Sequence, residues 1–214
     1  MKKLSLLFMA ILLSVLGMAQ DSNFEQEMLK RIQQIRQTEN KVNLLNLSKE
    51  FESLGNRNPS RYEAKYYQAL CLVFYSFEEK DKTQKDIQLD KAELIIDKIL
   101  KTNKKDDELY ILKALCYQMK IDIDPVKRGY EFSQKAAKEL QKAFRLNEKN
   151  PRYYFLQGQN IYYTPVKYGG GKEKAKPYFE KAQKLFKTQK PNTVLSATWG
   201  EGTNAMQLKI CNKK

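Results

Sequence analysis

Fixed spacing is the feature that most restricts what this chain can fold into. Small or apolar residues recur 15 positions apart at three junctions, Ile99 to Ala114, Ala143 to Gly158 and Ala182 to Ala197. Each junction is preceded by a trio at offsets of four and seven: Ala92, Ile96, Ile99; Ala136, Leu140, Ala143; and Ala175, Phe179, Ala182. Those offsets place each trio on one helix face. Aromatic-rich segments open the units, at Tyr66–Cys71, Tyr110–Cys116 and Tyr154–Gly158. Distances inside the units vary instead, with 23 residues from Ala69 to Ala92, 22 from Ala114 to Ala136 and 17 from Gly158 to Ala175. Packing between neighbours tolerates no slip, whereas a surface loop can grow. The pattern predicts repeated helix pairs, with Ala197 opening a partial fourth.

The stretch Ala143-Phe144-Arg145-Leu146-Asn147-Glu148-Lys149-Asn150-Pro151, running on to Gly158, resembles the junction between tetratricopeptide repeats. Tyr110, Ala114 and Tyr117 match that family's first-helix positions, and Ala136, Leu140 and Ala143 its second-helix positions. The resemblance covers roughly residues 60–200. Departures are a period longer than the usual ~34 residues, Glu148 in place of a proline, and Gln157 in place of a leucine. The resemblance implies an all-α fold, antiparallel helix pairs stacked as a short right-handed solenoid. It also implies an inner groove that holds a protein or peptide segment. By register the groove residues are Tyr66, Gln118, Arg152, Phe155, Gln159, Tyr162 and Tyr163. A Tyr, Gln and Arg surface offers large contact area with polar tips.

The ends fix the expected organisation. Lys2 and Lys3 precede an uncharged apolar run from Leu4 to Met18, followed by Ala19-Gln20. That is the layout of a secretory signal peptide cut after Ala19, and the run is short for a membrane span. The expected divisions are 1–19 signal peptide, 20–58 capping helices, 59–195 three helix pairs with insertions, and 196–214 a partial repeat and tail. Within the cap, Phe24 to Leu54 reads as two helices broken near Thr38 to Asn40, while 198–203 reads as a loop and 205–210 as a short last helix. The mature chain is expected in the periplasm or secreted, with no stable membrane span.

Charge and composition narrow the function. The chain carries formal charge +14, yet arginine supplies only seven of its 39 basic residues. Phosphate recognition favours the arginine fork, and lysines interleaved with acids mark a solvated face, so nucleic acid is not an expected partner. Histidine is absent, which removes the commonest general base and the commonest metal ligand. No cofactor or metal is expected, and the chain reads as a non-enzyme; the acids Glu78, Glu79 and Asp81 fall in a polar insertion.

Two local features complete the reading. Gly169-Gly170-Gly171-Lys172 could present amides to an anion, but Glu173 stands where a phosphate loop needs Ser or Thr. An intra-unit turn is the better reading. Cys71 and Cys116 share one slot in consecutive units, where a disulfide is conceivable and buried packing is favoured. The leading function is an exported binding or scaffold protein that docks a protein segment. The alternative is a periplasmic small-molecule carrier or transporter accessory.

Overall fold

The computed structural model describes residues 22–38 and 40–213, so the expected signal peptide at 1–19 lies outside the described residues. The chain is all-helical there: α1 spans 22–37, followed by α2 (Lys41–Arg57), α3 (Glu63–Glu78), α4 (Lys82–Leu100) and α5 (Asp107–Ile121). Then come α6 (Pro125–Leu146), α7 (Pro151–Tyr163), a 3-10 turn (Val166–Tyr168), α8 (Lys172–Thr188) and α9 (Glu201–Asn212).

Side-chain caps set where most of these helices start. Asn40 accepts from the Val42 amide, Asp81 from Thr83 and Gln84, and Asp106 from Glu108. Asp124 accepts from Lys127 and Asn150 from Arg152. Each satisfies a first-turn amide that has no partner within the helix. Pro125 and Pro151 follow their caps directly, where the missing amide costs nothing.

Helices adjacent in sequence pack together, and in addition α3 touches α5 and α5 touches α7. The aromatic-rich helices therefore form an inner series, with α4, α6 and α8 laid against it. Burial follows that placement. α3 buries side chains around most of its circumference, from Ala64 to Ser76. By contrast α6 buries one stripe of Ala136, Glu139, Leu140 and Ala143, and α8 one of Ala175, Phe179 and Ala182. A helix covered on several sides must be apolar all round, and one covered on a single side is amphipathic. The small residues mark the closest approaches. A Cβ on Gly158 would lie 2.7 Å from Cε1 of Phe179, which is fully buried. Burial of a side chain like Phe179 contributes roughly 1.5–3 kcal/mol.

The C-terminal junction differs from the other two. Ala197 sits in a non-helical stretch, 189–200, and α9 starts only at Glu201. Pro191 cannot continue α8 through a backbone bond, and Gly200 turns the chain into α9 at φ +103°. The last helix is accordingly longer, and begins earlier, than the 205–210 expected from sequence.

Candidate functional site

Residues 193–199 are held across the inner helices by polar contacts that span much of the sequence. Tyr67 Oη donates to the Leu195 carbonyl at 3.0 Å. Arg152 Nη1 donates to the Trp199 carbonyl at 3.3 Å, and Trp199 Nε1 donates to Tyr66 Oη at 2.9 Å. The Arg152 guanidinium also lies over the indole, 5.6 Å from its centroid. This strap forms part of the wall of two clefts, the second more apolar than the first.

The first cleft, about 600 Å³, mixes polar and apolar lining, and its buried polar groups, Arg152 and Asn150, are tied to the acids Asp107 and Glu108. Arg152 is buried and grips Glu108 in a bidentate pair, Nη2 to Oε1 at 2.6 Å and Nε to Oε2 at 2.9 Å. Asn150 Nδ2 donates to Asp107 at 2.7 Å and to Glu108 at 2.6 Å, and Tyr62 Oη donates to Asp106. Burial pushes the Glu108 carboxyl above its usual range while Arg152 pulls it back. The bidentate geometry is that of the ionised pair. Burial raises the Tyr66 phenol too, keeping it neutral as the acceptor for Trp199.

The second cleft, about 380 Å³, is mainly apolar and aromatic. Phe74 and Phe77 come from the end of α3, Leu44 and Lys41 from α2, Leu115 from α5, Phe155 and Gln159 from α7, and Trp199 from the strap. Phe74 meets the Trp199 ring edge-on at 6.2 Å and Phe77 at 6.0 Å. Phe77 remains 50% exposed. Lys41 is steadied by Glu79, Nζ to Oε2 at 2.9 Å. Glu79 also accepts from the Tyr75 hydroxyl and from the Asp81 amide at 2.8 Å. Those contacts, the Tyr75 bond foremost, lower the Glu79 carboxyl to about 2. Gly200 holds φ +103° at the mouth, a conformation that favours glycine, and a Cβ there would also crowd Phe186 at 3.1 Å. Such a cleft can receive a flat apolar ligand on its ring faces and meet a carboxylate with Lys41. Its lining holds no histidine, cysteine or methionine. Among the described residues no cluster of three or more His, Cys, Asp or Glu is arranged to hold a metal.

The residues assigned to a groove by register are distributed over different places. Phe155 and Gln159 line the aromatic cleft. Tyr66 and Arg152 line the polar one, both buried. Gln118 spends its amide on the Leu156 carbonyl at 2.8 Å. Tyr162 packs on Phe179 and Tyr163 is 70% exposed at the end of α7. Sequence reasoning missed Lys41, Phe74, Phe77 and Trp199. Trp199, the single tryptophan in the chain, was the available signal. Asp81 caps α4, and Cys71, Cys116 and Cys211 are all free and buried. Burial raises the Cys116 thiol to about 12.

No protein-family model matches the chain, and no curated protein matches its sequence. Among solved structures it is similar to the HusA haemophore from Porphyromonas gingivalis, with a TM-score of 0.77 and 24% identity. The match covers 88% of this chain and 92% of that one. The likeness is one of fold.

Proposed function

We propose that this chain is a small-molecule carrier whose aromatic cleft receives a porphyrin-type ligand, flat, apolar and carboxylate-bearing. The observation that carries the reading is the cleft itself, with Phe74, Phe77, Phe155 and Trp199 around an open space and Lys41 in its wall. The fold shared with a haemophore supports it. With no histidine in the chain, retention rests on ring faces, apolar burial and the carboxylate, not on an imidazole bond to a metal. The reading is of a binding protein without catalysis. With the signal peptide expected at 1–19, it describes a carrier working in the periplasm or outside the cell. The contacts of α3 with α5 and of α5 with α7 support the finer picture of a short right-handed TPR-like solenoid.

A protein segment is the lesser reading of the ligand. It needs the inner faces of α3 and α7, and there Tyr66, Tyr67 and Arg152 already hold the strap.

The test is a fluorescence titration, since Trp199 lies in the cleft wall and no other tryptophan contributes. Haemin and metal-free protoporphyrin should each quench it saturably, with affinities within about tenfold of one another, or 1.4 kcal/mol. Absence of saturable quenching with both ligands sinks the carrier reading.

A further inference from the structure

The glycine triplet does not offer its amides to a ligand. Gly169 donates to the Val166 carbonyl at 2.9 Å, Gly170 to Pro165 at 3.3 Å and Gly171 to Ile161 at 2.9 Å. A Cβ on Gly170 would lie 2.1 Å from the Thr164 carbonyl oxygen. Gly169 and Gly171 have φ of +89° and +106°. The loop is thus folded hard against the end of α7, and what it achieves is presentation. Val166 is 78% exposed, Tyr168 71% and Tyr163 70%.

Lysines surround these side chains. The Lys167 ammonium lies 4.9 Å from the Tyr168 ring centroid, and Lys174 Nζ would stand 3.9 Å from a Cβ on Gly169. Lys172 Nζ donates to the Lys213 carbonyl, which brings the end of α9 alongside with Lys209 and the partly exposed Ile210. Among the described residues none of these lysines has a carboxylate at ion-pair distance. Most other described lysines are likewise unpaired, so what sets the tip apart is that its lysines stand beside exposed Val166, Tyr163 and Tyr168.

We propose that this tip, the 163–172 loop with the end of α9, docks on an anionic lipid surface. Three observations favour lipid over an acidic protein. The basic residues of the tip are lysines, hydrated point charges suited to a field of headgroups, whereas a defined anion calls for the arginine fork. Tyr163 and Tyr168 are the amphipathic rings that sit at headgroup level. The tip also contributes to neither cleft, so it offers no groove for a peptide. Each lysine brought to an anionic bilayer strengthens binding about fivefold.

Among the described residues the core runs from Phe24 to Cys211, and the chain from Gln20 onward carries all of it while omitting the apolar run at 4–18. That chain should sediment with vesicles of phosphatidylcholine and phosphatidylglycerol, and not with phosphatidylcholine alone. Binding should vanish when salt rises from about 0.1 M to about 1 M, which cuts the screening length from about 10 Å to about 3 Å. Lys167→Gln with Lys174→Gln should weaken it more than about tenfold, and Val166→Ser with Tyr168→Ser several-fold. Lys101→Gln with Lys104→Gln removes the same charge near the opposite end of the inner helices and should change nothing. No binding to the anionic vesicles, or equal binding to neutral ones, overturns the proposal. So does an equal loss in the two lysine pairs, which would make net charge the cause. Circular dichroism checks that each variant is folded.

Discussion

The two clefts share a wall in the strap and differ in what they leave unspent. In the polar cleft Arg152, Glu108, Asn150 and Asp107 satisfy one another, and the strap is tied down by Tyr67 and Arg152. In the aromatic cleft Phe77 keeps half its surface exposed, and the rings of Phe74 and Trp199 line the wall. A satisfied polar network rigidifies, whereas uncovered aromatic surface is free energy reserved for a ligand. The difference separates stability from binding. Changes on the polar side should unfold the protein, and changes on the aromatic side should empty it.

The sharpest way to break that comparison is Arg152→Ala. It removes the fully buried guanidinium from a partly buried Glu108 and takes away an anchor of the strap. Breaking a buried pair by removing one partner costs about 3–5 kcal/mol, to be read as a lowered urea midpoint. An exposed pair such as Lys135–Glu131, with side chains 45% and 60% accessible, should cost at most about 1 kcal/mol when broken. Equal costs at the two sites would mean that the polar cleft is no more than a hydrated surface.

Phe77→Ala tests the other side. Being half exposed, Phe77 should change stability by less than about 0.5 kcal/mol. Porphyrin affinity should fall about two- to tenfold, the worth of one aromatic contact. A large loss of stability with unchanged affinity would reverse the roles of the two clefts.

The helices were legible in sequence because their cause is local. Ala136, Leu140 and Ala143 bury one stripe of α6 as their offsets require, and the all-helical class follows. Register assigned Tyr66 and Arg152 to a groove, and both stand buried in the wall of the first cleft. What register cannot say is that the chain's own residues 193–199 would lie against them, since the strap has no periodicity of its own. The aromatic cleft was hidden for a related reason. Lys41, Phe74, Phe155 and Trp199 come from four separate segments, and nothing in any one of them encodes the meeting. Periodicity assigns a residue to a face and leaves the facing element unnamed.

The smallest expected effect lies at the rim, where Glu79 ties Lys41 to the aromatic side. Its carboxyl normally titrates near 4.5, and in the folded chain it is drawn down to about 2 by Tyr75, the Asp81 amide and Lys41. A depressed carboxyl contributes stability above its unfolded value, and that contribution is lost as pH falls through the folded one. The Glu79 contribution should therefore be full above about pH 4.5 and disappear towards pH 2. Glu79→Gln keeps an oxygen for the Asp81 amide and turns its NH2 toward the Tyr75 hydroxyl, which can rotate to accept, so it should still fold at neutral pH with a modest loss. Its stability should then be flatter than that of the parent across the acid window, measured as urea midpoints at successive pH values. Parallel curves for parent and variant would show that the Lys41–Glu79 tie does not depend on charge. Lys41 would then have to be regarded as already free to meet a ligand carboxylate.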